Sequence, residues 1–366
     1  MKQSWSDELR AAWRQGLGEG RVRQHANESP WEIPRKIKAE IVETLADLPF
    51  GRYDFAVRPV LTEALASYSG VPADQIILGN GADELIQMCM IALPAAAGRV
   101  VVTRPTFFVY QLTAGALGRE VVDVPLIRPD FRLDVAGLMN TVRPGDLVFI
   151  CRPNNPTGNV FVAADVLAAL DGLGERGATV VLDEAYYEFC GETLVDQITA
   201  ARRSNLVILR TLSKAFRLAG LRLGYGLVDP ALVEPLERAR LTYNLSAASM
   251  VAAVGVLSEP DLARRTAAEI AGLRGDLAAG LADLPGVTVY PSQTNFIFVE
   301  LSAPAAPVAA ALSEAGILVR HFAGDETLAR TLRISVGDER GNQMVVEALS
   351  RALAAGEPGA PVPGDE

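Results

Sequence analysis

The sequence is poor in histidine, cysteine and positive charge, and each shortage excludes a class of function. Its two histidines, His25 and His321, have no nearby cysteine or histidine partner, so we predict no metal site. The three cysteines, Cys89, Cys151 and Cys190, are odd in number and lie near apolar residues, which favours reduced core thiols in a cytoplasmic protein. A net charge of −10 argues against nucleic acid and against an anionic membrane surface as partners.

Long apolar runs are absent as well. No apolar run approaches the length of a membrane span, and residues 1–10 contain no apolar core, so no secretory signal is visible. The chain does have 49% hydrophobic residues within 366 residues, a length that suits two domains. This composition predicts a large buried core.

Short β-branched runs alternate with amphipathic stretches from Ile76 onward, which is typical of an α/β domain with a mainly parallel sheet. These strands are predicted at residues 76–78, 100–103, 121–124, 147–151, 179–182, 206–209 and 223–228. After a helical region at about 230–284, the strands of a smaller α+β domain are predicted at residues 287–290, 295–300, 317–320 and 331–336. The predicted parts of the chain are an N-terminal arm that joins the small domain (1–35), a large domain (36–245), a small domain (246–355) and a disordered tail (356–366).

The most informative motif is residues 210–225, RTLSKAFRLAGLRLGY, which surround Lys214. Lys214 follows an apolar strand and two hydroxyls, Thr211 and Ser213, and precedes Arg222 by eight positions. A lysine among phosphate-binding groups is suited to form a Schiff base with a phosphorylated aldehyde and later to move a proton. We interpret the motif as a site for pyridoxal phosphate, with Arg222 either on the phosphate or in an ordinary surface salt bridge.

Unusual polar residues follow three other predicted strands, where ligands of open α/β sheets bind. Residues 79–84 are predicted to begin a helix whose first N–H groups, at Ala82 and Asp83, could bind a phosphate. The alternative is a simple tight turn without a ligand. Residues 152–158 hold two asparagines between two prolines, either an amide donor to the cofactor or an ordinary loop. Asp183 follows an apolar strand, where a carboxylate needs a partner such as a pyridinium nitrogen; a metal ligand and a helix cap are the alternatives.

Together these segments resemble the fold-type-I aminotransferases, which use pyridoxal phosphate, from residue 27 to residue 337. The similarity is most specific at 211–225 and is supported by residues 154–158 and 183–186. Within the family the chain is most similar to the histidinol-phosphate branch. The resemblance implies a large domain with a mainly parallel central sheet, a smaller α+β domain and a homodimer with shared active sites.

The resemblance also implies a role for each matching position. Lys214 would bind the cofactor aldehyde and act in catalysis, and Asp183 would pair with the pyridine nitrogen. The ring oxygen and ring face would be contacted by Asn155, Tyr186 and Phe107. The phosphate would be held by Ala82, Asp83, Thr211, Ser213 and Arg222, and by Tyr53 reaching across from the neighbouring subunit. The substrate would be bound by Asn27, Arg320 and Arg333.

Two positions depart from the family pattern. Arg217 stands where the family usually has glycine, and we expect it either to alter the loop near the cofactor or to reach the substrate phosphate. Tyr53 is followed by aspartate and phenylalanine and lacks the proline often found after this tyrosine.

The reaction implied by the resemblance is a ping-pong transfer from L-histidinol phosphate to 2-oxoglutarate, giving imidazole acetol phosphate and glutamate in histidine biosynthesis. The alternatives are an aromatic or broad-specificity amino-acid aminotransferase and a pyridoxal-phosphate-dependent decarboxylase of a phosphorylated amino acid. A binding protein that keeps the fold without the chemistry is a further alternative. The intact set of Lys214, Asp183 and Arg222 speaks against it.

Overall fold

The computed structural model describes residues 4–16, 20–53, 56–93, 98–201, 203–259 and 261–355. The tail at 356–366, which the sequence predicts to be disordered, lies outside the described residues. The strands are β1 Val22–Gln24, β2 Ile76–Asn80, β3 Val100–Arg104, β4 Val121–Pro125, β5 Leu147–Cys151, β6 Thr179–Asp183, β7 Leu206–Thr211, β8 Leu223–Val228, β9 Val287–Val289, β10 Phe296–Leu301, β11 Ile317–His321 and β12 Thr331–Ser335. The helices are α1 Trp5–Gly16, α2 Arg35–Asp47, α3 Val57–Ser69, α4 Gly81–Ala92, α5 Val109–Ala116, α6 Val135–Thr141, α7 Ala163–Glu175, α8 Tyr187–Cys190, α9 Asp196–Thr199, α10 Pro230–Ala239, α11 Ala247–Leu257, α12 Leu262–Ala282, α13 Ala305–Glu314 and α14 Glu339–Ala355.

Seven strands form the larger sheet, in the order β2-β8-β7-β6-β5-β3-β4. Pairing is parallel from β4 through β7, and β8 runs antiparallel to both of its neighbours, β7 and β2. The strands β5, β7 and β8 are buried along their whole length, because a sheet covered on both faces has no solvent side for polar residues. The prediction of an α/β fold with a mainly parallel central sheet is confirmed.

The strand register brings the polar segments of the sequence to one edge of this sheet. Cys151 pairs with Asp183, and Asp183 pairs with Leu209 two residues before the end of β7. Thr211 at that end pairs with Gly224, two residues after Arg222. The carboxyl ends of the parallel strands and the start of β8 therefore lie side by side, where open α/β sheets bind their ligands.

The smaller sheet has five strands in the order β1-β11-β12-β10-β9. Only β1 and β11 are parallel, and the remaining pairs are antiparallel. Helix α13 packs on β11 and also on α14. The polar arm gave no strand signal in the sequence, yet its residues Val22–Gln24 form β1 at the edge of this sheet.

The chain divides into a large unit of residues 31–271 and 291–295 and a small unit of residues 1–30, 272–290 and 296–366. The sequence put this division at residue 246 instead. Helix α11 belongs to the large unit because it packs against α2 and α3; a Cβ added at Gly255 would lie 2.7 Å from Ile41 Cγ1. Helix α12 continues without a break through the boundary at residue 271, so no local sequence signal marks it.

No helix in the described ranges combines the length and apolar character needed to cross a membrane.

Candidate functional site

Lys214 lies in a closed turn directly after β7. The Lys214 carbonyl oxygen accepts a hydrogen bond from the Arg217 N–H at 3.1 Å, and the Leu218 N–H donates to the Leu212 carbonyl at 3.1 Å. The Lys214 side chain is half-buried, and its Nζ lies 5.9 Å from the ring centroid of Tyr186. The structure therefore brings together the lysine and one of the aromatic residues that the sequence assigned to the same site.

Two hydroxyls stabilise the end of β7 beside this turn. The Ser213 N–H donates to Thr211 Oγ1 at 3.1 Å, and Thr211 Oγ1 lies 2.9 Å from Ser213 Oγ. Both side chains are buried although they are polar, so each needs a hydrogen-bonding partner. Hydroxyls fixed in this way are suited to bind phosphate oxygens.

Asp183 ends β6 as a buried carboxylate with two donors. Its Oδ2 accepts from the Tyr110 hydroxyl at 2.6 Å, and its Oδ1 accepts from the Ala185 N–H at 2.9 Å. Burial raises the pKa of Asp183 to about 6, although these two hydrogen bonds lower it; the charges of Asp83 and Glu184 raise it further. A carboxylate in such surroundings is stabilised by a cationic partner, which a protonated pyridine nitrogen supplies.

Tyr110 is a site residue that the sequence interpretation missed. It is fully buried at the start of α5, and its ring stacks on Phe149 with centroids 4.8 Å apart and an interplanar angle of 23°. Phe107, which the sequence assigned to the cofactor ring face, meets it edge-to-face at 5.6 Å. The available signal was its spacing of three residues from Phe107 at a helix start, which places both on one side of the turn.

The N-terminus of α4 lies against Arg222. A Cβ added at Gly81 would lie 2.5 Å from Nη2 of Arg222, and the same Nη2 lies 2.8 Å from Asp83 Oδ2. A Cβ added at Gly224 would lie 2.6 Å from the Ala82 nitrogen, so this approach of β8 to α4 needs glycine. A guanidinium above the first-turn N–H groups of a helix forms a site for an anion such as phosphate.

In the turn after β5, the two asparagines Asn154 and Asn155 have different roles. Asn154 is structural, because its Nδ2 donates to the Pro105 carbonyl at 2.9 Å and its Oδ1 accepts from Thr106 at 2.9 Å. Asn155 is buried as well, at the same edge of the sheet, and is the residue assigned to the ring oxygen. The network of Asn154 thereby fixes the backbone that presents its neighbour.

A buried ion pair lies directly after Asp183. Glu184 Oε2 pairs with Arg210 Nη2 at 2.8 Å, and the Thr193 hydroxyl donates to Oε2 at 2.8 Å. The Arg210 guanidinium also stacks over the Tyr187 ring at 3.8 Å. Glu184 therefore pairs with a buried arginine, and because both charges are satisfied internally, the pair fixes the relative positions of β6 and β7.

The two arginines assigned to the substrate are neighbours in the small unit. Arg320 on β11 pairs directly with Arg333 on β12, so both side chains leave the sheet on the same face. Arg333 donates to the His25 carbonyl at 2.7 Å and stacks over Phe296 at 5.4 Å. Burial lowers the pKa of His25, as do the charges of Arg23, Arg333 and Arg320. A positive cluster of this kind favours bound anions.

Asn27, the third residue assigned to the substrate, has a structural role in the small unit. Its N–H donates to Ser335 Oγ at 2.8 Å, and the Ser335 hydroxyl donates back to Asn27 Oδ1 at 2.9 Å. Its φ of +53° is a conformation that asparagine tolerates better than most residues. Substrate binding by Asn27 stays a prediction.

The side-chain contacts of Tyr53 and Arg217 within the described part of this chain do not include the site around Lys214, and the predicted contact of Tyr53 with a neighbouring subunit stays a prediction. Tyr53 is 71% exposed and stacks on Tyr243 with centroids 4.0 Å apart, so within this chain it contacts another exposed tyrosine. Arg217 directs its guanidinium to Thr266 and Glu269 on α12 and to the Glu32 carbonyl. Its effect is thus on the turn that carries Lys214.

This set of residues fits pyridoxal phosphate. The large unit provides an amine at a strand end, a buried carboxylate that a cation would stabilise, and a guanidinium at a helix N-terminus beside two hydroxyls. These groups match the aldehyde, the pyridine nitrogen and the phosphate of that cofactor. Within the described ranges, no group of three or more histidine, cysteine, aspartate or glutamate side chains is arranged to hold a metal ion.

Comparison with known proteins agrees with this chemistry. Residues 16–349 match the family described as aminotransferase class I and II. The chain is 36% identical over 336 residues to a histidinol-phosphate aminotransferase of Thermoanaerobacter sp. strain X514, covering 91% of this chain and 93% of that protein. It is 35% identical over 336 residues to the enzyme of the same name from Pyrococcus furiosus, covering 92% and 94%.

A solved structure shows the same fold. The histidinol-phosphate aminotransferase from Sinorhizobium meliloti in complex with pyridoxal-5'-phosphate superposes with a TM-score of 0.83 at 28% identity. The superposition covers 94% of each chain.

Proposed function

The chain belongs to the aminotransferase class I and II family, whose members depend on pyridoxal phosphate, and we propose that it transfers the amino group of L-histidinol phosphate to 2-oxoglutarate. The observation that carries the choice of substrate is the similarity, over nine-tenths of the chain, to relatives named for histidinol phosphate. The paired arginines support it, because this substrate pair presents a phosphate and a carboxylate in turn.

The residues at the edge of the large sheet would hold the cofactor. Bound pyridoxal phosphate supplies an electron sink for the carbon that carries the amino group. Asp183 would pair as a carboxylate with the pyridine nitrogen, and the Tyr110 hydroxyl, which donates to Oδ2, would support that charge. Arg222 and the N-terminus of α4 bind the phosphate, together with the hydroxyls at the end of β7.

Lys214 would have two tasks. Its Nζ would hold the aldehyde of the bound cofactor. Its amine would also move the proton of the substrate carbon within one half-reaction. A backbone hydrogen bond closes the turn from 214 to 217 and so restrains the backbone that carries the lysine side chain.

A substrate panel on the purified enzyme tests this proposal. We expect glutamate formation with histidinol phosphate and 2-oxoglutarate at a kcat/KM at least about a hundredfold above that with phenylalanine or tyrosine, because a charged phosphate contact discriminates strongly. Comparable values for all three donors would identify a broad-specificity aminotransferase instead. Release of carbon dioxide without a requirement for a 2-oxo acid would identify a decarboxylase.

Borohydride reduction tests the attachment of the cofactor. The chain has only four lysines, Lys2, Lys36, Lys38 and Lys214, so peptide mapping has few candidates. We expect the reduced cofactor on Lys214 alone. Lys214→Ala should lose both the label and at least about 10⁴-fold of the rate, while the control Lys36→Ala, an exposed helix lysine, should keep both.

We also propose that the enzyme is a homodimer in which Tyr53 contributes to the site of the partner. The exposed stack of Tyr53 on Tyr243 supports this, because large apolar side chains on a surface often mark an interface. Lys214→Ala and Tyr53→Ala dimers, each impaired alone, should regain activity when their subunits are exchanged, since one intact site forms per hybrid. Additive activity after subunit exchange would contradict a shared site. A cytoplasmic location stays a prediction.

A further inference from the structure

Arg217 lies three residues after Lys214 in a backbone conformation that favours glycine. Its φ is +63°, and its N–H closes the turn onto the Lys214 carbonyl at 3.1 Å. A side chain with a Cβ in the left-handed region costs about 1–2 kcal/mol. Since glycine would avoid this cost, we expect the arginine side chain to stabilise the structure in a way that glycine does not.

The guanidinium of Arg217 is held by four groups. Its Nε donates to Thr266 Oγ1 at 3.0 Å, its Nη1 donates to the Glu32 carbonyl at 3.2 Å, and its Nη2 pairs with Glu269 Oε2 at 3.2 Å. The group also lies over the Trp31 ring at 5.0 Å, and the side chain is only 10% exposed. Such a set of contacts needs the planar fork of arginine and fixes its position. We refer to these four contacts as the Arg217 clamp.

The partners of the clamp occupy two special places in the chain. Trp31 and Glu32 are the first residues of the large unit after the chain leaves the small unit at Pro30. Thr266 and Glu269 lie on α12 shortly before residue 272, where the chain enters the small unit again. One side chain therefore binds two of the segments that lie next to a crossing between the units, and all of its contacts lie within the large unit.

We infer that Arg217 is a positioning residue, which fixes the Lys214 turn to two of the segments at which the chain passes between the large unit and the small one. The consequence for catalysis rests on the proposed role of Lys214, whereas the structural consequence does not. A fixed turn keeps the reactive amine within reach of the substrate carbon, and small displacements of such a group cost much of the rate. The side chain binds α12 and residues 31–32 instead of pointing to a substrate phosphate, so its effect is on the chemical step.

The variant Arg217→Asn tests this inference, because asparagine tolerates the left-handed conformation but cannot form the clamp. Hydrogen exchange of the pyridoxal-phosphate-loaded enzyme should be about tenfold faster in peptides covering residues 31–34, 211–221 and 262–271, with no change in β5. The kcat for amino transfer should fall about tenfold, while KM changes less than about twofold. Arg217→Lys, which keeps the charge but not the fork, should give an intermediate result.

The matched control is Arg264→Gln, which removes an arginine of α12 that is 74% exposed and paired with Asp261. It should change neither exchange nor kcat. Unchanged exchange at residues 31–34 and 262–271 in Arg217→Asn, or equal acceleration of β5, would overturn the inference. If Arg217→Asn does not fold, Thr266→Val removes the acceptor of Nε, with the same outcomes. Borohydride mapping distinguishes a failure of the proposed function from a failure of this inference. Reduced cofactor on a lysine other than Lys214 would refute the proposed function, whereas the hydrogen-exchange result would still test the positioning role of Arg217.

Discussion

Tyr110→Phe isolates the hydrogen bond that supports the charge of Asp183. The substitution removes the hydroxyl, which donates to Asp183 Oδ2 at 2.6 Å, and keeps the ring that stacks on Phe149. A hydrogen bond to a charged group contributes about 1.5–3 kcal/mol, and one pKa unit corresponds to about 1.4 kcal/mol. We therefore expect the pKa of Asp183 in the cofactor-free protein to rise from about 6 by roughly one to two pH units.

The direction of the effect on cofactor binding follows from the charge. The ionised carboxylate pairs with the protonated pyridine nitrogen, so affinity for pyridoxal phosphate falls as the pH drops through the pKa of Asp183. In Tyr110→Phe this fall should begin roughly one to two pH units higher than in the wild type. Near pH 7 the variant should bind about two to ten times more weakly, whereas near pH 9, with Asp183 ionised in nearly all molecules of both proteins, the two affinities should converge.

The assay is titration of the cofactor-free protein with pyridoxal phosphate, followed by fluorescence at a series of pH values. Other groups that titrate are common to both proteins and cancel in the ratio of the two Kd values. Tyr290→Phe is the matched control, because it removes a tyrosine hydroxyl that bonds a carboxylate, Glu300 Oε2 at 2.7 Å, in the small unit. A Kd ratio for Tyr110→Phe that is independent of pH would refute the reasoning, since the defect would then not act through the charge of Asp183.

Four further substitutions test the remaining parts of the site. In the folded, cofactor-free protein, burial raises the pKa of Asp183 above its unfolded value, so its contribution to stability is lost as the pH rises through about 6. Asp183→Asn should therefore stabilise that protein by about 1–2 kcal/mol near pH 8 and not near pH 4, measured by urea unfolding; destabilisation at both would contradict this. Arg222→Lys should raise the Kd for pyridoxal phosphate about tenfold, and an unchanged Kd would exclude Arg222 from the phosphate site. Arg333→Gln should raise KM for both substrates about tenfold or more, with Arg320→Gln affecting chiefly the phosphorylated one; equal effects of the two would show that the arginines do not discriminate between the anions.

The fold was predictable because its signals are local. The strands β5, β6 and β7 each contain a run of buried apolar residues, and the polar residues of the site follow these runs directly along the chain. The segment that forms β1 has neither alternation nor an apolar run, so its strand exists only through its pairing with β11. The unit boundary at residue 271 gave no signal because a continuous helix crosses it.

The site was predictable only in part, because sequence signals are local and several of its contacts are not. Motif residues such as Lys214 and Asp183 follow strand ends that the sequence shows directly. Tyr110 is bound to Asp183 across 73 residues of chain, and Arg217 reaches Glu32 across 185 residues. Such contacts depend on helix placement and strand register, which no local pattern specifies. The sequence shows that Arg217 is unusual for the family. The contacts of its side chain become known only when the position of α12 is known.

Backbone strain in this chain coincides with groups that the proposed chemistry requires. Arg217 and Arg222 flank the segment that follows Lys214, and both have positive φ, +63° and +54°. Strain of this kind persists only where the surrounding structure determines the conformation. For Arg222 the determining contacts are Asp83 and the glycine at the start of α4, and for Arg217 they are those of the clamp. The two arginines thus fix both ends of the segment that follows Lys214.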